Sequence, residues 1–219
     1  SFIRNASHEI KNPLTSIMGE ADLAIGMDRS KEEYKSSLET ILSESEVLNS
    51  TVNNLLHLSK VSSNEENVLM ESINVDDFVT ATIVSFEYQN QESEIGFSSE
   101  LDTASMIIGN RNLLQAVVVN LLENSCKFSS NKPVQVSLFK CSQWVHIKIQ
   151  DQGIGIEAEE LRKIETPFYR GSNVIHIKGS GIGLALCSKI VQLHKGEITI
   201  ESVINEGTIV RVKIPLDKF

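Results

Sequence analysis

Near its start the chain places a histidine and an asparagine where they could do chemistry on the exposed face of a helix. Small and apolar residues recur at three- and four-residue spacings at Ile3, Ala6, Ile10, Leu14, Ile17, Ala21 and Ala24, the pattern of an amphipathic helix. His8 projects away from the part of this stripe formed by Ala6 and Ile10, and Asn12 lies one turn further on the same face. An exposed neutral imidazole is a competent nucleophile near neutral pH. A solvated surface histidine is the plain alternative.

A carboxylate follows a predicted buried strand in the second half of the chain. Apolar residues alternate with polar ones at Val145, Ile147 and Ile149. Asp151 has the same inward phase and therefore needs a hydrogen-bond donor. Gly153 and Gly155 would let a ligand approach the backbone closely. The carboxylate could accept a hydrogen bond from an exocyclic amine such as that of adenine, or it could cap a glycine turn.

Two further segments supply groups that suit a metal and phosphates. Asn120, Asn124 and Lys127 lie at i, i+4 and i+7 along the border of an apolar helical stripe. An amide oxygen suits Mg²⁺ and a lysine suits a phosphate, although solvated side chains are the alternative for this helix alone. The string Gly179–Leu184 runs into a predicted helix, whose N-terminal N–H groups favour phosphate. A polar loop precedes the string instead of a strand, which argues against a dinucleotide site. Together these pieces predict a nucleotide site.

The composition narrows the classes of protein and partner. The 219 residues are 41% apolar, enough for one large or two small domains. A net charge of −9 argues against nucleic acid or an anionic membrane surface as the main partner. No apolar run approaches the roughly 20 residues of a membrane span, and no signal peptide is present. Cys126, Cys141 and Cys187 lack metal-type spacing and are expected to be reduced packing residues of an intracellular protein. Because Ser1 enters directly into a helical pattern, we expect a cytoplasmic fragment of a longer protein.

Two helices are predicted to carry the histidine and to dimerise. The first covers residues 1–27, with a bend at Pro13, and the second runs from a capping box at Ser30 and Glu33 to residue 61. The second helix has a heptad seam at Tyr34, Leu38, Ile41, Ser45, Leu48, Val52 and Leu55, widened by Leu42 and Leu56. One hairpin cannot bury such wide stripes, so a dimeric four-helix bundle is predicted.

After a polar linker at residues 62–67 the pattern changes to mixed helices and strands. Helices are predicted over 74–89, 111–128, 157–163 and 182–194, and strands over 94–101, 105–108, 133–140, 144–150, 196–203 and 207–214. This order predicts an α/β sandwich. The fold class is therefore α+β, with a helical hairpin over residues 1–63 and a sandwich domain over residues 68–219.

Five motifs in order resemble those of the catalytic core of sensor histidine kinases. Phe2 with Ser7–Leu14 resembles the phosphoacceptor motif, and Asn120–Lys127 resembles the Mg²⁺-binding asparagine motif. Asp151–Gly155 and Gly179–Leu184 are similar to the two glycine motifs. Pro167–Arg170 is similar to the phenylalanine motif before the mobile ATP lid. The resemblance covers nearly the whole chain.

The resemblance implies a dimeric hairpin followed by an ATP-binding domain of the histidine kinase, gyrase and chaperone type. ATP bound with Mg²⁺ would phosphorylate His8, and the phosphoryl group would pass to an aspartate of a response regulator receiver domain. It also implies an upstream sensor with an inner-membrane anchor. By this likeness Glu9 orients the imidazole or accepts its proton, and Asn12 supports a reverse phosphatase activity.

The same likeness implies roles at the nucleotide. Asn124 would be the metal ligand, Lys127 would meet phosphate and Asp151 would read adenine. The implied nucleotide contacts are Asn120, Asn124, Lys127, Asp151, Gly153, Gly155, Tyr169, Arg170, Gly179, Gly181, Gly183 and Leu184.

Two positions depart from the family pattern. Glu165 stands where a first phenylalanine is common, and Asn110 stands where an aspartate is common. Both departures would affect the reaction rate and the behaviour of the lid more than the type of reaction.

Two other classes of protein compete with this interpretation. A gyrase-like, mismatch-repair or chaperone ATPase would not need the His8 hairpin. A silent dimerisation module would not need an intact Asn124, Asp151 and glycine set.

Overall fold

A helical hairpin opens the structure. The computed structural model describes residues 2–63, 68–102, 105–129, 132–174, 177 and 179–217. Helices α1 (Phe2–Gly26) and α2 (Lys31–Ser63) pack on each other. The Ser30 hydroxyl accepts the Glu33 N–H at 3.2 Å, and the Glu33 carboxylate accepts the Ser30 N–H at 2.8 Å. This reciprocal pair satisfies two N–H groups at the start of α2 and confirms the predicted capping box.

The hairpin leaves much of its apolar surface uncovered. Leu38, Leu42 and Leu56 on α2 are 65%, 62% and 55% exposed. Most apolar side chains of α1 are also exposed to solvent, whereas Pro13 is buried. One copy of the hairpin therefore does not bury its own apolar stripes.

The second half is a mixed sheet with helices. Its elements are β1 (Glu71–Asn74), α3 (Val75–Gln89), β2 (Ile95–Ser99), β3 (Met106–Gly109), α4 (Arg111–Phe128), β4 (Val134–Cys141), β5 (Trp144–Gln150), α5 (Gly183–Leu193), β6 (Glu197–Val203) and β7 (Gly207–Pro215). Five strands form a sheet in the order β2-β4-β5-β7-β6. β2 is parallel to β4, and the other neighbours are antiparallel. β1 and β3 form a separate antiparallel pair.

The core lies between this sheet and the three helices that follow the hairpin. Alternate residues of the central strands are buried at Val134, Val136, Leu138, Val145, Ile147, Ile149, Val210, Val212 and Ile214. α4 packs between α3 and α5, and all three helices contact strands of the sheet. The arrangement is the two-layer sandwich that the sequence predicts. Strand alternation also fixes the direction of Asp151, which continues the buried phase of Ile147 and Ile149.

The end of α5 is tied to the start of α4 by a buried histidine. The ring of His194 is 4% exposed. Its Nε2 accepts the Asn110 N–H at 2.9 Å, and its Nδ1 donates to the Ile190 carbonyl at 2.7 Å. Burial lowers the pKa of His194, and the Ile190 carbonyl offsets part of that effect. Because one ring nitrogen must accept, this contact holds a neutral imidazole.

Some predicted elements differ from the structure. The predicted helix at 157–163 is wrong: this segment is a series of turns. Only the N–H groups of Leu161 and Ile164 reach carbonyls four residues back, and they are not consecutive. The Glu160 carboxylate instead turns inward and accepts the Ser172 N–H at 2.9 Å, a long-range contact that replaces helical periodicity. β1 was not predicted, because its four residues carry a single buried apolar side chain, Ile73.

The predictions for the cysteines, the linker and membrane spans have the following outcomes in the structure. Cys187 is buried and Cys126 is half-buried, but Cys141 is exposed, so the prediction of a packing role is wrong for Cys141. Residues 64–67 of the predicted linker lie outside the described residues, and the domain boundaries stay a prediction. Among the described helices, none is long and apolar enough to cross a membrane.

Candidate functional site

The polar edge of α4 forms one wall of a cavity. The Asn110 side chain caps this helix by accepting the Leu113 N–H at 3.0 Å. The amide nitrogen of Asn120 donates to the Ala116 carbonyl at 2.8 Å, which fixes the side-chain orientation. A Cβ added to Gly183 would lie 2.8 Å from Asn120 Oδ1 and 4.0 Å from Asn124 Nδ2. Both asparagines therefore lie directly beside the start of α5.

Asp151, directly after β5, is held in place by backbone donors. Its side chain is buried, and its Oδ1 accepts the N–H of Gly153 at 2.9 Å and the N–H of Thr208 at 3.1 Å. Burial raises the pKa of Asp151, and these two bonds together with the Ser125 hydroxyl offset part of the rise. The carboxylate is thus oriented before any ligand binds, as an acceptor for an amine donor.

The glycine string lies beside α4 and provides backbone donors. α5 begins at Gly183, and the residue before it, Ile182, makes no side-chain cap, so the first-turn N–H groups are available to an anion. Gly181 has φ +67°, and a Cβ there would lie 2.7 Å from the Tyr169 carbonyl oxygen. The Lys127 side chain also lies beside the glycine string, since a Cβ on Gly179 would lie 2.8 Å from Lys127 Nζ. Burial and the Arg170 charge lower the pKa of Lys127, and Glu123 opposes them.

The segment before the string folds back over the cavity. The Phe168 N–H donates to the Gly181 carbonyl at 2.8 Å. The Arg170 guanidinium donates to the Val174 carbonyl at 2.8 Å and also to the Ile177 carbonyl. Glu165, at the position that departs from the family pattern, accepts a hydrogen bond from the Ser188 hydroxyl at 2.8 Å. An ion-dipole contact thus replaces the apolar packing that a phenylalanine would supply.

These walls enclose a cavity of about 240 Å³. It is lined by the predicted residues Asn120, Asn124, Lys127, Asp151, Gly155, Tyr169, Arg170, Gly179, Gly181, Gly183 and Leu184. Gly153 does not line it and contributes through its bond to Asp151. An oriented carboxylate, backbone donors and a lysine around one cavity suit a molecule with an amine-bearing base and an anionic tail.

The residues predicted on the hairpin lie apart from this cavity. His8 and Asn12 are exposed on α1, as their phase predicts, and neither they nor Glu9 line the cavity. Glu9 is half-buried; burial raises its pKa, and the charges of Arg170 and His8 offset part of the rise. The hairpin also contacts the segment before the string, since the rings of Phe2 and Phe168 have centroids 5.2 Å apart.

Several residues of the site were not predicted from the sequence, among them Ser125, Thr208, Ser50 and Asn54. Ser125 continues the buried stripe of α4, so a polar residue in that phase was a usable signal. Thr208 could have been found from strand pairing, since it neighbours the partner of Gln150 in β7. Ser50 and Asn54 of α2 also line the cavity, and no local pattern indicates a contact between segments so distant in the chain.

A helical hairpin joined to a sandwich with this cavity defines a class: a phosphoacceptor domain followed by an ATPase-type domain. Residues 1–64 match the family model of the His Kinase A (phospho-acceptor) domain. Residues 109–218 match that of the histidine kinase-, DNA gyrase B- and HSP90-like ATPases. The chain therefore belongs to the sensor histidine kinases and carries their catalytic core. The phosphoacceptor match separates it from the gyrase-like and chaperone ATPases.

Relatives and solved structures agree with this family. The chain is 31% identical to the sensor protein RprX of Bacteroides fragilis, over 99% of the chain and 43% of the relative. It is 33% identical to the heme sensor protein HssS of Staphylococcus saprophyticus, over 94% of the chain and 44% of the relative. The chain thus spans less than half the length of these relatives.

The fold is shared with solved histidine kinases. The histidine kinase AdeS of Acinetobacter baumannii has a TM-score of 0.72 at 24% identity, covering 96% of this chain and 98% of that one. Histidine kinase ThkA, solved in complex with response regulator protein TrrA, has a TM-score of 0.75 at 22% identity, covering 96% of this chain and 60% of that one.

Proposed function

We propose that the chain uses ATP to phosphorylate His8 and then passes the phosphoryl group to an aspartate of a response regulator. One observation supports this proposal most strongly: a single chain contains both an exposed histidine and a cavity suited to a nucleotide. The hairpin exposes a histidine on α1, and the adjoining domain gathers Asp151, Asn124 and Lys127 around one cavity. The family of the chain supports both parts.

The cavity would bind ATP in one direction. Asp151 would accept the adenine amine, because its carboxylate is already oriented by the N–H groups of Gly153 and Thr208. The uncapped N-terminus of α5 and Lys127 would bind the phosphates. Among the described residues no group of three or more His, Cys, Asp or Glu side chains could hold a metal ion. Mg²⁺ would therefore depend on the amide oxygen of Asn124, on phosphate oxygens and on water.

His8 would be the nucleophile. One imidazole nitrogen would form a bond to the γ-phosphorus as the bond from that phosphorus to the leaving ADP oxygen breaks. Glu9 would take the proton from the other ring nitrogen or hold the ring in place. Its raised pKa makes it a better base than an exposed carboxylate. Because His8 does not line the cavity, the two domains must change position, or the histidine of a second copy must enter, before transfer.

The partners proposed are a second copy of the chain and a receiver domain. The exposed Leu38, Leu42 and Leu56 favour a dimeric four-helix bundle. ThkA was solved with a response regulator, which supports a similar partner here. Asn12, exposed one turn after His8, is proposed to position water for a reverse phosphatase activity. We also propose an upstream sensor with an inner-membrane anchor, because relatives of the chain are named as sensor proteins.

Incubation with Mg²⁺ and γ-labelled ATP tests the proposal. The chain should acquire acid-labile, alkali-stable label, and His8→Gln should remove it. His57→Gln, on the same hairpin but half-buried, is the matched control and should keep the label. Release of free phosphate without labelled protein would favour an ATPase. ATP binding with no label would favour a silent module.

A further inference from the structure

The hairpin contributes a buried amide to the cavity of the other domain. Asn54, on α2, is only 9% exposed and lines the cavity. Among the described residues, no hydrogen bond joins its side chain to another group. Its amide atoms are not among the fully enclosed polar atoms without a partner in the described residues, so the amide is open to the cavity and available to a ligand as a donor and an acceptor. Ser50, one turn earlier on the same face, also lines the cavity.

The packing of α2 places Asn54 near the anionic end of the cavity. Leu55 and Leu58 of α2 share a groove with Ala185 and Ser188 of α5. α5 begins at Gly183, and Gly183 and Leu184 of its first turn line the cavity. Asn54, next to Leu55, therefore lies close to α5, whose first residue Gly183 belongs to the glycine string and lines the same cavity.

The charges at this end identify the ligand group that Asn54 would meet. Lys127 and Arg170 line the same cavity, which the carboxylates of Glu123, Asp151 and Glu160 also line. Lys127 lies beside Gly179, so a cation and helix N–H groups favour an anion at the glycine string. The amide nitrogen of Asn54 is a donor, and a phosphate oxygen is an acceptor. We propose that Asn54 is a nucleotide-binding residue supplied by the hairpin, donating a hydrogen bond to a phosphate oxygen of bound ATP.

This inference rests on the proposed function and deepens it. The nucleotide site is then complete only when the sandwich domain is docked on α2 as in this structure. ATP itself links the two domains through its phosphate tail, whereas adenosine contacts the sandwich domain alone. Phosphate-dependent binding should accordingly respond to a change on the hairpin, and binding of the base should not.

The test compares two neighbouring asparagines in the whole chain. Asn53 is exposed and contacts only Asn49, at 3.5 Å, among the hydrogen bonds of described residues, so Asn53→Ala is the matched control. Titration calorimetry should give about 10-fold weaker ATP binding for Asn54→Ala, the loss expected for one hydrogen bond to a charged group. Adenosine binding should stay unchanged in both variants. Asn54→Asp should weaken ATP binding further, because its carboxylate repels phosphate.

Equal ATP affinity of Asn54→Ala and Asn53→Ala would overturn the inference. So would an equal loss for ATP and adenosine, since that would mean a general change in the cavity. Circular dichroism checks that the variants keep the helical content of the parent chain. If the unaltered chain binds no ATP, the proposed function fails, and the inference fails with it.

Discussion

Replacement of Asp151 by asparagine tests how the cavity recognises its ligand. The Oδ1 atom of Asp151 accepts two N–H groups, from Gly153 and Thr208. An asparagine keeps an oxygen in that position, so both bonds can persist. We therefore expect the free energy of unfolding to change by less than about 1 kcal/mol. Asp151→Ala should cost about 1–3 kcal/mol for each buried N–H that it leaves unpaired.

The effect on ligand binding should be much larger. The second atom of the side chain changes from a charged acceptor to an NH₂ donor, which would face the amine donor of adenine in the proposed complex. Loss of a hydrogen bond to a charged group costs about 1.5–3 kcal/mol, or roughly 10- to 100-fold in affinity. Titration calorimetry with ATP on Asp151→Asn measures this loss, and chemical unfolding measures the stability. An unchanged affinity in a folded variant would refute the assignment of Asp151.

The pH dependence supplies an independent check on the same residue. Burial raises the pKa of Asp151, and the proposed contact with adenine is strongest for the ionised carboxylate. ATP affinity should therefore fall as the pH is lowered through that raised pKa. Asp151→Asn carries no titrating group, so its remaining affinity should lack this step. A step of the same size in the variant would assign it to another group.

Three further changes have expected outcomes. Burial lowers the pKa of His194 in the folded chain, so the unfolded chain takes up the proton first as the pH falls. The free energy of unfolding should therefore fall by up to about 1.4 kcal/mol for each pH unit between about 6.5 and the lowered pKa; urea unfolding of His194→Gln should show a shallower fall. Leu38→Asp should convert a concentration-dependent dimer to a monomer in sedimentation experiments, since it places a charge on the exposed seam. Gly181→Ala should weaken ATP binding and cost about 1–2 kcal/mol of stability, because φ is positive and the added Cβ meets the Tyr169 carbonyl.

A result that would contradict each of these three predictions can be stated. A pH slope in His194→Gln equal to that of the parent would contradict the role of the buried imidazole. Val84→Asp, at a position 61% exposed on α3, should leave the dimer intact, and equal dissociation in both variants would contradict the seam. Full ATP affinity in Gly181→Ala would contradict the proposed phosphate cradle.

Local patterns were sufficient for most of the sandwich. Alternation predicted β5 and the inward direction of Asp151, and helical spacing predicted the row from Asn120 to Lys127 on α4. These signals are strong because the buried face of each element repeats over many residues. β1 offered one apolar residue in four, and at residues 157–163 the inward turn of Glu160 replaced a helical pattern.

Contacts between distant segments had no local signal. The motifs predicted that Asn124 and Gly183 serve one site, but their spacing did not reveal Asn54 on α2 as part of the same cavity. Nor did it reveal that His8 lies outside that cavity. Both facts depend on how the hairpin and the sandwich pack, which is set by side chains such as Phe2 and Phe168 meeting across the fold.

The mass of the intact chain after incubation with Mg²⁺ and ATP, measured without exposure to acid, tests the proposed phosphorylation of His8. We expect a gain of one phosphoryl group, carried by the peptide that contains His8 and absent from His8→Gln. A gain that persists in His8→Gln would contradict this proposal, as would consumption of ATP with no change in the mass of the chain.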